Sequence, residues 1–203
     1  VITANPDRCI IVLAIETQGE DSQKVVTENA KLADRVINAL KSEGLNEKQV
    51  KTGNYSLHSY TDRITTKNNE QEQVIRYRAY NSVTITFDKV DQAGKVVDVA
   101  TKAGANNVQS IQFELKDNQA ATLQALQSAT RQAKAKAQAI ADSADVKLLG
   151  IKSITEESAG YTPYRVALAK EMMADTVGGS APSTPIVPGD VEIHARVIME
   201  FSF

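Results

Sequence analysis

The order in which hydrophobic periodicities change along the chain constrains its fold most, because each period commits a segment to one kind of secondary structure. The β-branched run 8–17 (RCIIVLAIET) predicts a buried strand. A pattern with spacings of three and four residues follows the capping candidates Asp21 and Ser22 and ends at Gly44. Its members are Val25, Asn29, Leu32, Val36 and Leu40. A strand followed by an amphipathic helix is therefore expected.

A long hairpin is predicted next. Segments 50–61 and 74–87 are rich in strand-forming residues, and the stretch 62–73 between them is polar. We therefore expect the hairpin to have a solvated tip. A short helix that opens at Asp91 and ends at Gly104 follows.

The same order then recurs in the second half of the chain. Residues 108–115 predict a strand, and Asp117 or Asn118 is expected to cap a long helix that ends at about residue 144. We expect the stripe of mostly small residues on this helix to be buried. The stripe comprises Leu123, Leu126, Thr130, Ala133, Ala137, Ile140 and Ala144.

Segments 146–155 and 191–203 predict two closing strands, and strict alternation gives the second a dry face and a wet face. The elements read strand-helix-strand-strand, a short linking helix, and strand-helix-strand-strand again. This order predicts an α+β fold with mostly antiparallel sheets and helices packed on one face. We expect a single domain made of two similar halves, at about 8–88 and 107–203.

Charge and composition exclude several classes of protein. There are 23 Lys and Arg residues against 25 Asp and Glu residues, a net charge of −2, so no global field attracts nucleic acid. No stretch approaches the roughly 18 consecutive apolar residues of a membrane helix, so we do not expect an integral membrane protein. Cys9 is the only cysteine, which excludes an intramolecular disulfide and a cysteine-rich zinc site. The start at Val1 fits either a cleaved signal peptide or a trimmed chain.

No catalytic constellation is evident. His58 and His194 each lie in a predicted strand without a second His or Cys at ligand spacing, so no metal site is predicted. Ser56, His58 and Asp62 would form a hydrolytic site only if they converged beside an oxyanion hole, and no G-x-S-x-G turn is present. Phosphate-binding glycine loops are also absent from the sequence. We therefore predict neither a cofactor nor an enzyme activity.

The irregular stretch 161–190 contains a candidate interaction segment. Its apolar part, 164–174 (YRVALAKEMMA), has no obvious reason to be apolar unless it docks on something. Two alternatives stay open: the segment covers the core of its own chain, or it packs against another subunit. The candidate interaction residues are Tyr161, Tyr164, Val166, Leu168, Met172 and Met173.

Several short motifs, taken in order over essentially the whole chain, resemble the SIMPL domain family. They are Pro6-Asp7, Tyr80-Asn81 leading into Val83, Ile85 and Phe87, a helix with Val96 and Val97, Gly104-Ala105-Asn106, Ile111-Gln112-Phe113, an Ala-rich helix through Ala133 and Ala137, and Pro188-Gly189. These are structural marks: Gly104 ends a helix, Asn81 is expected to supply a hydrogen bond between strands, and Pro188-Gly189 sets a turn.

The resemblance implies an exported protein of the bacterial periplasm or outer envelope, with a signal peptide outside this sequence. It also implies ring-like or channel-like oligomers, links to oxidative stress and immune recognition, and no established enzyme activity. Our first hypothesis is a non-enzymatic envelope protein that self-associates and contacts other envelope proteins, with 161–173 and the long hairpin as contact elements. The alternative is a small-ligand binding module with an apolar pocket in or between the strand-helix-strand-strand units.

Overall fold

The computed structural model describes residues 1–65, 71–167 and 185–203, which form two sheets and three α-helices. The strands are β1 (Ile2–Ala4), β2 (Arg8–Gly19), β3 (Val50–Thr65), β4 (Gln71–Phe87), β5 (Asn107–Glu114), β6 (Gly150–Thr162), β7 (Tyr164–Arg165) and β8 (Val191–Ser202). The helices are α1 (Ser22–Ser42), α2 (Ala93–Ala103), preceded by a 3₁₀ turn at Val90–Gln92, and α3 (Gln119–Ser143). The pairs β1–β8, β6–β8, β2–β4 and β3–β4 are antiparallel, and the predicted α+β class is confirmed.

The chain forms two compact units. The hairpin unit comprises residues 8–112 with the described parts of 165–188, and the long-helix unit comprises residues 1–7, 113–164 and 189–203. The larger sheet has the strand order β3-β4-β2-β5-β7, and the smaller has the order β1-β8-β6. The single-domain assignment and its division into two similar halves stay predictions.

The core of the hairpin unit lies between β2, β4 and α1. Alternate residues of β2 are fully buried, and the β4 partners of Cys9, Ile11 and Leu13 are buried as well. The buried side chains of β2 include Cys9, Ile11, Leu13 and Ile15. Helix α1 begins where the Asp21 carboxylate accepts hydrogen bonds from the backbone N–H groups of Gln23 (2.9 Å) and Lys24 (3.1 Å), and it ends just before Gly44. Both predicted boundaries of this helix are confirmed.

One polar side chain lies inside this core. Asn29 of α1 is fully buried, and its Nδ2 donates to the carbonyl oxygens of Ile15 on β2 (2.9 Å) and Ala79 on β4 (3.2 Å). The Asn29 Oδ1 atom is buried without a hydrogen-bond partner. A single amide therefore joins the helix to two neighbouring strands, which an apolar residue at this position of the stripe cannot do.

Replacement of this amide is expected to destabilise the unit. Asn29→Ala removes both hydrogen bonds and leaves a small void, so the free energy of unfolding should fall by about 2–4 kcal/mol in urea denaturation. Asn38→Ala, on the exposed face of the same helix, is the matched control and should change it by less than about 0.5 kcal/mol. Equal effects of the two substitutions would contradict a joining role for Asn29.

Cys9 is fully buried in β2 opposite Phe87, and burial raises the pKa of its thiol from 9.0 to about 12. The neutral thiol is therefore favoured in the folded state, whereas the unfolded thiol ionises near its ordinary pKa. This stabilising contribution is complete below pH 9.0 and is lost as the pH rises towards about 12.

The resulting pH dependence separates wild type from Cys9→Ala. Between about pH 8 and about pH 10.5, the free energy of unfolding of the wild type should fall by about 2 kcal/mol more than that of the variant. Urea titrations of both proteins at each pH measure this difference, and other titrating groups cancel in the comparison. Parallel pH profiles would show that the thiol is not held neutral.

The long-helix unit is built on the central strand β8. Val191 and Ile193 are fully buried, the next four alternate residues on the same face are half-buried, and the residues of the other face are exposed. The predicted dry and wet faces are confirmed, with Ile198 as an exposed apolar residue on the wet face. Helix α3 packs on the dry face of β8.

The predicted stripe of α3 is partly wrong. Ala137 is buried as expected, but Leu123 (53%) and Ile140 (62%) are largely exposed, and so is Ala144. The buried positions of α3 are Ala125, Ala137 and Ala141, which lie at multiples of four residues. The helix turns its small alanine side chains towards β8, since these permit a close approach, and leaves two of its larger apolar side chains in solvent.

The hairpin is longer than its composition predicts. The expected tip, 62–73, continues the ladder, with paired residues from Asp62↔Val74 to Thr65↔Gln71. Polar side chains do not end the strands, because each further pair of residues forms its backbone hydrogen bonds next to a pair that is already in place. An ion pair also links the two strands, with Arg76 Nε of β4 at 3.5 Å from Asp62 Oδ2 of β3. The described strands therefore take up seven of the twelve residues that were assigned to the tip.

Candidate interaction surfaces

The structure does not assemble the hydrolytic arrangement considered from the sequence. Ser56, His58 and Asp62 lie on one extended strand, so His58 and Asp62 are about 13 Å apart along β3. The Asp62 carboxylate faces Arg76 at 3.5 Å, and His58 is exposed opposite Arg78. These three groups therefore do not converge on a reacting atom.

The other histidine lies on a solvated strand face. His194 Nε2 is 3.6 Å from Glu192 Oε2, two residues away on β8, and both side chains are about half exposed. Among residues 1–65, 71–167 and 185–203, no cluster of three or more His, Cys, Asp or Glu side chains could hold a metal ion. This pair is an exposed surface contact rather than part of a cleft.

The described part of the candidate interaction segment packs on its own chain. The Tyr161 hydroxyl donates to Glu114 Oε2 (3.5 Å), and the Tyr164 ring lies 6.3 Å from the Phe113 ring, centroid to centroid. The Val166 N–H donates to the Ile111 carbonyl oxygen (3.1 Å). All three contacts are made with β5 of the same chain. The remaining candidates, Leu168, Met172 and Met173, lie outside the described residues.

The turn motif Pro188-Gly189 has a packing role beside Tyr164. A Cβ atom added to Gly189 would lie 2.5 Å from Tyr164 Cε2, which is closer than real Cβ contacts allow. The ring therefore needs glycine at this position.

Substitution of this glycine should displace the aromatic ring. Gly189→Ala is expected to lower the free energy of unfolding by about 1–3 kcal/mol, because the new methyl group overpacks the Tyr164 contact. Gly160→Ala is the matched control, since an added Cβ there meets nothing within 4 Å. Urea denaturation should show the loss only for Gly189→Ala, and similar stabilities for the two variants would refute the contact.

The β3–β4 hairpin exposes an apolar strip on the face that α1 packs against. Tyr55 (56%), Leu57 (41%) and Ile75 (59%) project on this side but are largely exposed. Helix α1 contacts mainly β2 and β4, so the outer strand β3 is left open. Strand β2 pairs with β4 only as far as Gly19↔Tyr77, and the hairpin beyond is two-stranded. We call Tyr55, Leu57 and Ile75 the hairpin strip.

A polar cleft on the hairpin unit contains Asn106 of the motif Gly104-Ala105-Asn106. The Asn106 side chain accepts from the Glu16 N–H (2.9 Å) and donates to the Glu16 carbonyl oxygen (2.7 Å), as a neighbouring strand would. The Asn107 amide donates to Glu16 Oε1 (2.9 Å). Asn106 directly follows Gly104-Ala105, where a φ of 126° at Gly104 ends α2. Hydrogen bonds therefore join Glu16, Asn106 and Asn107 to one another, and these bonds stabilise the fold.

The hydrogen bond expected of Asn81 is made by its neighbour. Ser82 Oγ accepts from the Asn54 N–H at 2.8 Å, beside the register shift between Thr52 and Tyr55. The strands do need a side-chain bond here, because a bulge leaves a backbone group without its ladder partner. The sequence motif therefore marked the correct place but the wrong residue.

An apolar groove on the long-helix unit was not predicted from the sequence. It lies between α3 and the dry face of β8 and has a volume of about 520 Å³. Its lining residues are Ala129, Gln132, Ala133, Lys136, Ala137, Ile140, Ala195, Arg196, Val197, Met199, Phe201 and Phe203. The only signal for it in the sequence is the unusual share of alanine on α3, which leaves space beside the larger side chains of β8.

In the described ranges of the chain, none of the helices combines the length and the apolar character that crossing a bilayer requires.

Comparison with known proteins gives a match over nearly the whole chain. The model of the SIMPL family, described as "Protein of unknown function (DUF541)", matches residues 1–201. The "26 kDa periplasmic immunogenic protein" of Brucella melitensis biotype 1 is 27% identical over 205 residues, which cover 99% of this chain and 80% of that protein. The protein of the same name from Brucella abortus strain S19 gives the same identity and coverage.

A more distant relative comes from Edwardsiella ictaluri. The "Uncharacterized protein YggE" of this organism is 22% identical over 163 residues, which cover 80% of this chain and 66% of that protein. The names of the two Brucella proteins place them in the periplasm, which is the location expected for this chain.

Proposed function

The chain belongs to the SIMPL family, and from this membership we propose that it is a non-enzymatic protein of the bacterial envelope that acts through self-association. The resemblance noted from the sequence motifs is thereby confirmed. The proposal rests on the hairpin strip, a set of apolar side chains on an exposed strand pair. Such a strip is costly to leave in water, and a second copy of the chain can cover it.

The outer strands of the two sheets also support self-association. Strand β3 is the outer strand of the larger sheet, and β6 is an outer strand of the smaller one. Each is long, with 16 and 13 residues, and each is mostly exposed. Long outer strands expose backbone N–H and C=O groups that readily pair with another chain. Closed, symmetric contacts between copies use such edges without forming open fibres.

Polar features of these edges limit unspecific pairing. Strand β6 carries Lys152, Glu156 and Glu157 and has two register shifts against β8. Charges and bulges on an outer strand discourage indiscriminate aggregation. The contact that we propose is the hairpin strip on β3 and β4, which carries exposed apolar side chains. The segment 161–173, with Tyr161, Tyr164, Val166, Leu168, Met172 and Met173, is proposed as a further contact element between copies or with other envelope proteins.

A second candidate function, small-ligand binding, is favoured by the groove of the long-helix unit. Its volume of about 520 Å³ falls in the usual range for ligand sites, and apolar side chains form most of its lining. The groove and the hairpin strip lie in different units, so each function can be tested separately.

Adjacent residues of β3 provide a matched test of self-association. Leu57→Glu places a charge within the hairpin strip, whereas His58→Glu places the same side chain on the opposite face of the same strand. At tens of micromolar, wild type and His58→Glu should run as the same oligomer in size-exclusion chromatography with light scattering. Leu57→Glu should weaken association by about tenfold to a hundredfold and shift the mass towards the monomer. A wild-type monomer, or equal masses for the two variants, would rule out association through the strip.

A further inference from the structure

We propose that the groove between α3 and β8 binds a free alkyl carboxylic acid of about ten or more carbons, an inference that rests on the second candidate function. The floor of the groove is formed by alternate side chains of the dry face of β8, including Val197, Met199 and Phe201. Phe203, which is 54% exposed, extends this floor beyond the strand. This surface can accept a hydrocarbon chain without burying an unpaired polar group.

The wall formed by α3 sets the width of the groove. Ala129, Ala133 and Ala137 lie one helical turn apart, so the wall they form lacks long side chains. The lining stretch from Ala129 to Ile140 covers about 16 Å at the rise of an α-helix. The volume of about 520 Å³ lies within the usual range of small-ligand sites. A groove of this length and volume suits one extended alkyl chain.

The apolar surface continues onto the neighbouring strand. Ile151 and Ile154 of β6 lie opposite Phe201 and Met199, and they are 46% and 55% exposed. By register they share the face that α3 packs on, but α3 lies mainly over β8. An alkyl chain longer than the groove thus has further apolar surface to follow.

The rim of the groove carries a cation for the carboxylate. Lys136 and Gln132 lie one turn apart on α3, and none of the lining residues is acidic. Arg196 also lines the groove, but its guanidinium group is 3.5 Å from the Glu157 carboxylate. Glu156 lies opposite Val197 on β6 and does not line the groove. Within the part of the chain that the structure describes, Lys136 has no ion-pair partner, so its ammonium group is available to an anionic head group.

The first arm of the test blocks the groove. Decanoate is titrated into the 203-residue chain by isothermal calorimetry, and binding to the wild type is expected. Ala133→Phe fills the groove and should weaken decanoate binding at least about tenfold. Ala135→Phe makes the same change on an exposed position of α3 outside the lining and should leave binding unchanged. Circular dichroism of both variants confirms that the helix is intact.

The second arm tests the head group and does not depend on the first variant folding. Lys136→Gln should weaken decanoate binding about twofold to fivefold and leave binding of the neutral alcohol decanol unchanged. Lys134→Gln, a lysine outside the lining, is the matched control and should bind both like the wild type.

Three results would overturn the proposal. Equal binding of decanoate and decanol, insensitive to Lys136→Gln, would reject the carboxylate while leaving ligand binding in the groove intact. Absence of binding, or equal binding by Ala133→Phe and Ala135→Phe, would reject both the carboxylate and the second candidate function. A change in oligomer mass caused by Ala133→Phe would instead identify the groove as a contact between copies.

Discussion

The packing of α1 on β2 and β4 is the interaction on which the hairpin unit depends. Alternate residues of β2 face the helix, so a shift of one residue would turn the whole buried set outward. The Asn29 amide adds direction to this apolar contact, because it bonds to a carbonyl on each of the two strands. Apolar packing alone is non-directional, whereas this amide permits one position of the helix along the strands.

This packing also determines which surfaces stay exposed to solvent. Helix α1 starts close to the end of β2 and returns over the central strands, so most of the outer strand β3 and the far part of the hairpin lie beyond its reach. The hairpin strip is exposed for this geometric reason, although its side chains are of the types that are common in buried strands. An apolar face of a strand pair becomes an interaction surface when no helix of the same chain covers it.

Several polar groups in the described part of the chain hold the fold. Asn106 replaces a strand partner for Glu16, Ser82 bonds to the backbone at a bulge, and Asp62 pairs with Arg76. The hairpin strip and the groove of α3 are apolar surfaces of a kind that suits binding.

The sequence by itself determined the order and type of the elements, because period and capping are local properties. Asp21, Gly44 and Gly104 marked helix ends correctly, and the alternation along β8 placed its two faces. Only the tertiary structure decided which apolar residues are covered. The rotation of α3 that leaves Leu123 and Ile140 in solvent depends on the shape of β8, and the length of the hairpin depends on ladder bonds between distant residues. Neither is encoded in a local window, since burial and strand pairing are set by partners far apart in the chain.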